Sequence, residues 1–404
     1  MKVSALFIYF STCLILFTGC EKNLYPDDVW DETDVGGSQP IILSVDPTQG
    51  ALAGIDTVAI HGENFSENIS KNIVYFDGVS AEILSSSPNS LTIIAPNIIS
   101  DSIVIKVAVE GAFNFAEFSS YYSLGAAIID YGPFDMFTDI YSLDLDRGEN
   151  LIVSMDGSPN AEFWVVDLQQ DSSVWSGSLS KASGMKLGPT GSIYYVNYQR
   201  YLYKDEQGTP KENSEIFKRL NGNATDLDFD LNGNLFTGGS GSQIDVVDIY
   251  DENGFNSGVT EVADLDSLDV ISLKVFEEYI YVMTKSSTFN FSIYKLPILD
   301  VSGSLGTIEL VFDITRYLPQ ISPLCMTIAQ NGSIFIGNSN EDEPITLIKN
   351  GIASAFYSSI VTAPVNYIAF GNQNYVYIVN KTAESNKVQR INVRMNGSEY
   401  YGRP

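Results

Sequence analysis

The sequence predicts an all-β protein in two parts: an immunoglobulin-like β-sandwich over residues 40–124, then a six-bladed β-propeller over residues 125–404. Two observations carry this. A short phrase, a turn residue followed by alternating large apolar residues, comes back six times. It starts at Asn150, Ser192, Asn234, Tyr279, Ser333 and Tyr375, at intervals of 42, 42, 45, 54 and 42 residues. A period of that length with only strand-like segments inside it marks a propeller blade, a four-stranded sheet whose faces are buried by its neighbours. Ahead of the repeats, five or more short strand-like runs separated by turn residues fit into residues 40–124, the density of a small sandwich.

Composition bounds the function. The chain is 44% hydrophobic and 18% charged, enough apolar residues for packed cores. Fifty acidic residues against 22 basic ones give a formal charge of −28, which argues against nucleic acid as a partner, because phosphate recognition needs a basic stripe. The cysteines are Cys13, Cys20 and Cys325; the last lies in an apolar run and reads as a buried small residue. His61 is the only histidine, so neither a histidine metal cluster nor a Ser-His-Asp triad can be built.

At the N-terminus, Lys2 precedes an apolar segment from Ala5 to Phe17, too short for a permanent membrane span, which ends in Phe17-Thr18-Gly19-Cys20. This resembles a bacterial lipoprotein signal. The resemblance implies a signal peptide over residues 1–19 and lipidation of Cys20, although Phe17 stands where the family usually has Leu. Acyl chains anchor by burying methylene groups at roughly 0.8 kcal/mol each. Residues 20–39 are acidic and aperiodic and read as a flexible tether, with Trp30 as a linker residue. Their acids resemble the surface-export signals of lipoproteins in glycan-degrading Gram-negative bacteria, which implies an outer-membrane protein facing the cell exterior.

The sandwich strands are read at Ile41–Val45, Thr57–Gly62, Ile73–Phe76, Leu91–Pro96 and Ile103–Val109, with Asp77-Gly78 as a hairpin turn needing positive φ. Pro47-x-x-Gly50, Gly54, Ile60-x-Gly62-x-Asn64-Phe65, Phe76-Asp77-Gly78 with Ala81, and Leu91-x-Ile93-x-Ala95-Pro96 together resemble the IPT/TIG family over residues 40–124. That family implies a spacer or interaction module in which the phenylalanine after Gly-x-Asn plugs the sandwich. His61 reads as a strand-surface residue.

Each later repeat lays out as strands, beginning with Ile140–Leu145, Asn150–Val153, Glu162–Val166 and Val174-Trp175. The long fourth interval holds an insertion at Pro297–Thr307. Blade six shows only three strands, so Ala126–Ile129, ahead of blade one, is expected to supply the fourth and close the ring. Asp230-Leu-Asn232-Gly233-Asn234-Leu235 is similar to the turn of NHL-type propellers, which fixes no activity.

No phosphate-binding loop, nucleophile elbow, Cys-x-x-Cys or His-Glu-x-x-His occurs. Asp226, Asp228 and Asp230 share one face of a strand and could offer oxygens to calcium, but exposed acids beside an Asn-Gly turn are the expected reading. Asp144 and Asp146 repeat the pattern weakly. The loops between second and third strands include Ser158–Asn160, Tyr198–Arg200, Ser286–Asn290, Asn338–Asp342 and Lys381–Glu384. They are rich in amides, hydroxyls and a few rings, a mixture that suits sugars. Tyr198, Arg200, Phe289 and Asn290 are the candidate ligand-binding residues; no catalytic residue, metal ligand or cofactor is assigned. The resulting expectation is a non-catalytic surface lipoprotein, binding a polysaccharide or oligosaccharide as accessory of a TonB-dependent nutrient-uptake system. The alternatives are an assembly subunit on an outer-membrane transporter or other surface protein, and a calcium-dependent lactonase-like enzyme.

Overall fold

The computed structural model describes residues 36–157, 161–208, 210, 215–251, 253–382 and 385–400, so Cys20, the tether through residue 35 and Ser158–Asn160 lie outside the described residues. Nearly all the regular structure is strand, and no described helix is long and apolar enough to cross a membrane.

The sandwich pairs one sheet of seven strands with one of three. Its alternation is visible in Thr57–Glu63, where Val58, Ile60 and Gly62 are buried while Thr57, His61 and Glu63 face solvent. Val58, Ile60, Val74, Phe76, Leu91, Ile93, Ile105 and Val107 form the centre of a wholly apolar core. The Asp77-Gly78 turn has φ of +46° and +86°, the conformation its hairpin demands. Gly62 is required by packing: a Cβ there would stand 2.0 Å from the Ile41 carbonyl oxygen and 2.5 Å from the Phe65 ring, which fills the space below it.

The repeats form six four-stranded antiparallel sheets. In every blade the recurring phrase is the second strand: Leu151–Asp156, Ile193–Val196, Leu235–Gly238, Tyr279–Lys285, Ile334–Asn338 and Tyr375–Lys381. Its apolar residues are buried on both faces, as all four residues of Ile193–Val196 show. The physical reason is that each sheet is covered by a blade on either side, so both sets of side chains meet protein. Blade six closes as expected: Ile128–Asp130 pairs antiparallel with Asn386–Asn392, in register Ile128 to Ile391 and Asp130 to Gln389.

The propeller has no single core. Six apolar clusters occupy the six seams between consecutive blades. In the first strand of each blade one set of residues packs backward onto the preceding blade: Met185 and Leu187 meet Ile152 and Phe163, and Leu143 and Leu145 meet Tyr377 and Val379. The alternate set turns toward the central axis.

The sandwich docks where blades five and six meet. Arg394 pairs with Asp56, the Ser359 hydroxyl donates to the Gly54 carbonyl at 3.3 Å, and a Cβ at Gly54 would stand 3.0 Å from Ile360. The insertion of blade four folds back on blade three, where the Asn234 amide donates to the Val301 carbonyl at 3.1 Å.

Candidate functional site

The first strands of the blades wall the central channel. The equivalent positions are fixed by pairing with the second strand: Asp144 faces Ile152, Lys186 faces Tyr194, Asp228 faces Phe236, Lys274 faces Tyr281, Thr327 faces Phe335 and Ala369 faces Tyr377. Around the axis this level therefore reads acid, base, acid, base, hydroxyl, methyl. One level away stand Ser142, Gly184, Asp226, Ser272, Cys325 and Tyr367. All five charged side chains are buried.

The carboxylates stitch blades together. Asp144 Oδ2 accepts the Leu187 N–H of the next blade at 2.8 Å; Asp226 Oδ2 accepts the Leu273 N–H at 2.9 Å, and Asp228 Oδ2 the Val275 N–H at 2.9 Å. Lys274 lies 2.7 Å from Asp226 and donates to its own chain at the Leu273 carbonyl, 2.8 Å away. Burial alone would raise the Asp226 carboxyl, but the Lys274 ammonium, with the Leu273 N–H and the Ser272 hydroxyl, holds it below the usual carboxylate range. Burial likewise opposes the charge on Lys274, yet Asp226 and Asp228 leave its pKa raised. Asp228 is the reverse case: burial dominates and pushes its carboxyl up against the pull of Lys186 and Lys274. The channel thus holds one firmly charged pair and one carboxyl kept under tension.

These acids correct the expectation of exposed strand residues. Asp226, Asp228 and Asp230 are all buried. Asp226 and Asp228 face lysines of neighbouring blades, while Asp230 accepts the Asn232 and Asn234 N–H groups and the Asn234 side-chain amide, bracing the turn. Asp146 braces the equivalent turn at Asn150. No group of three or more metal-ligating side chains is placed to hold an ion among the described residues. The missed residues, Lys186 and Lys274, carried a signal in the sequence: Asp144, Lys186, Asp228 and Lys274 recur at the spacing of the blades.

The channel opens into a cavity of about 640 Å³ at the end where first and second strands are joined. The C-terminal segment crosses this mouth. Asn396 accepts the Gln330 N–H, the Ser398 N–H reaches the Ile328 carbonyl at 3.1 Å, and the Tyr400 hydroxyl donates to the Leu187 carbonyl at 2.8 Å.

The predicted ligand residues sit at the opposite end. Tyr198 and Arg200 lie on the loop of blade two between Ile193–Val196 and Tyr201–Asp205; Phe289 and Asn290 lie on the loop of blade four between Tyr279–Lys285 and Phe291–Pro297. Both loops open on one face, but blade three stands between them, so they form two pairs and not one cluster. Tyr198 is 66% exposed and Phe289 68%, and both hold φ near +60°, at +65° and +60°. Two rings on inter-blade connections of the same face, Phe137 and Tyr317, are 86% and 59% exposed. Arg200 Nε donates to the Leu220 carbonyl at 3.3 Å, and the Asn290 amide to the Thr288 hydroxyl at 3.1 Å.

Comparison with known proteins places this architecture. Residues 40–124 match the family model described as the IPT/TIG domain. No curated protein matches the chain. Among solved structures it is similar to an auxiliary nutrient binding protein from Bacteroides thetaiotaomicron, 13% identical, with a TM-score of 0.54 over 88% of this chain and 97% of the other. It is also similar to a candidate phosphatase of the same organism, 13% identical, TM-score 0.59, over 90% and 99% of the two chains. A luciferin-regenerating enzyme is 14% identical, TM-score 0.51, over 68% of this chain and 96% of its own. At such identities the likeness is one of fold: an IPT/TIG sandwich followed by a propeller.

Proposed function

We propose that this chain is a non-catalytic lipoprotein of the outer membrane, anchored through Cys20 and facing the cell exterior, that binds a polysaccharide or oligosaccharide as accessory of a nutrient-uptake system. The observation that carries the reading is the set of exposed rings on one propeller face, two of them held at positive φ. An aromatic residue in that conformation is strained where glycine would be at ease, so its recurrence on equivalent loops of two blades favours a use for the ring. Sugar rings stack their apolar faces on such side chains, and Arg200 and Asn290 stand beside them to meet hydroxyls. The nutrient-binding neighbour, similar along both domains, supports the same class of role. The lysines of the channel weigh against the calcium-lactonase alternative, because Lys274 already neutralises Asp226 and Lys186 stands between Asp144 and Asp228.

Affinity electrophoresis of the purified protein through gels containing single polysaccharides, with and without calcium, tests this. Retardation by one glycan class, lost in Tyr198→Ala or Phe289→Ala, is the expected result. A wild-type protein retarded by none of them sinks the glycan reading and leaves docking to an outer-membrane protein, to be sought by co-purification from membranes.

A further inference from the structure

We propose that the end of the propeller opposite the loop face docks a peptide segment of a partner protein, one carrying an arginine or lysine flanked by apolar residues. The charge of the cavity selects the basic residue. Asp228, Glu277, Glu278 and Glu399 line it against Lys186 and Lys274, four carboxylates to two ammonium groups. Both ammonium groups are already committed to the channel wall: Lys274 lies 2.7 Å from Asp226, and Lys186 lies 3.7 Å from Asp144 and 3.9 Å from Asp228. The three glutamates stand exposed at the rim, and none of them forms an ion pair among the described residues. An incoming cation meets their carboxylates in a recess, where attraction is screened less than on an open surface. Phe276 and Leu231 also line this recess, giving the methylenes of a lysine or arginine an apolar wall while the charged head reaches the glutamates.

The surface beside the cavity selects a peptide over a small cation. An apolar shelf is built around the Asp230–Asn234 turn. Leu231, 48% exposed, borders the cavity. Tyr250, 61% exposed, lays its ring beside Gly233, where a Cβ would stand 3.7 Å from it. Val301, 76% exposed, is brought here by the insertion of blade four, whose Val301 carbonyl accepts the Asn234 amide at 3.1 Å. The loop that presents Tyr250 is itself fixed: the buried Lys218 ammonium donates to the Asp251 and Gly254 carbonyls at 2.6 and 2.9 Å. A small cation would occupy the cavity and leave this shelf in water, whereas a peptide with apolar residues next to its basic one covers both. Exposed apolar side chains grouped beside a charged recess have the make-up of a protein contact, an apolar centre with a polar rim. The surface lies at the other end of the channel from Tyr198 and Phe289, so it stands or falls independently of glycan binding.

The test passes the detergent-solubilised full chain over an array of immobilised hexapeptides. These are built from leucine, valine, tyrosine, serine and glycine around one central arginine, lysine, norleucine or glutamate. Retention is expected on peptides whose basic residue has apolar neighbours, and far less where the neighbours are serine and glycine. The best peptide is then titrated in solution by calorimetry. Glu277→Gln combined with Glu278→Gln is expected to weaken it about tenfold, and Tyr250→Ala or Val301→Ser several-fold; all four positions are exposed. Glu67→Gln combined with Glu82→Gln removes the same charge from the exposed surface of the sandwich and is expected to change nothing, as is Tyr198→Ala. An array with no preference for basic peptides overturns the proposal. So does retention of basic peptides whatever their neighbours, or an equal loss in the sandwich variant, since either would mean attraction by net charge alone. Argininamide binding as tightly as the best peptide overturns it too, in favour of a small-cation site.

Discussion

The two domains solve the problem of a centre in opposite ways. Two sheets of the sandwich face each other across one apolar core, and the middle is its driest and most hydrophobic part. The propeller distributes its apolar residues among six seams and leaves the middle to three carboxylates, two ammonium groups and hydroxyls. A ring of sheets brings its first strands together around an axis with no opposing face to pack on. Polar side chains there can be satisfied by backbone N–H groups of the next blade, so charge serves as stitching. Burial thus marks what holds the sandwich together, whereas in the propeller it marks a channel that can also be put to use.

That contrast breaks most sharply at the two centres. Asp226→Asn strands the Lys274 ammonium in the channel and is expected to cost about 3–5 kcal/mol. Phe76→Ala empties the sandwich core at about the same cost. Calorimetry should show each lowering its own domain's transition while the other holds. A common shift in both would mean that the two cores unfold as one. The Asp226 contribution has a definite pH dependence. Its folded pKa is depressed, so the stabilisation is complete above the ordinary carboxylate range and is lost as pH falls through the folded value. Lys274, raised, contributes below its ordinary value and loses that contribution as pH climbs through the folded one.

Much of this architecture was legible in the sequence. The six phrases are the six second strands, because a strand covered on both faces buries consecutive apolar residues and so leaves a dense mark. The closing strand before blade one was readable from the shortage in blade six, and Gly62 with Phe65 from the motif itself. The channel was not read. Alternation placed Asp226 and Asp228 on one face, but a single strand does not reveal that this face meets lysines 48 residues ahead at Lys274 and 42 behind at Lys186. Only the blade period, applied to charges as well as to apolar residues, connects them. The loop candidates were located on one face but not as neighbours, since loop position follows from blade order and contact between loops does not.

Smaller effects sharpen the comparison further. Arg394→Ala removes a partly exposed ion pair between the domains and is expected to cost about 1 kcal/mol or less. It should narrow the coupling between the two transitions more than it lowers either. Asp228→Asn relieves a carboxyl that burial has raised and should leave stability at neutral pH unchanged or higher by up to about 1 kcal/mol. The sign is checked by acidification: the raised folded pKa makes wild type gain relative to the variant as pH falls toward the ordinary carboxylate value. Tyr198→Gly relaxes a left-handed residue and should add a few tenths to about 1 kcal/mol. If the same variant loses retention on glycan, the strain is maintained for binding; if retention is unchanged, the ring has no such use.

The closing of blade six also sets an order in time. Ile128–Asp130 leaves the ribosome more than 250 residues ahead of its partner Asn386–Asn392. Until that partner arrives, five blades form an open arc with an uncovered apolar sheet face at either limit, the kind of surface that recruits other chains. The ring becomes a circle in one late step, joining segments more than 250 residues apart, and such non-local pairing is slow. The sandwich, complete at residue 124, can fold ahead of this step and wait beside the first segment of the seam. A chain cut within the last blade is expected to aggregate through the two faces left bare, read as loss of soluble protein against the full chain.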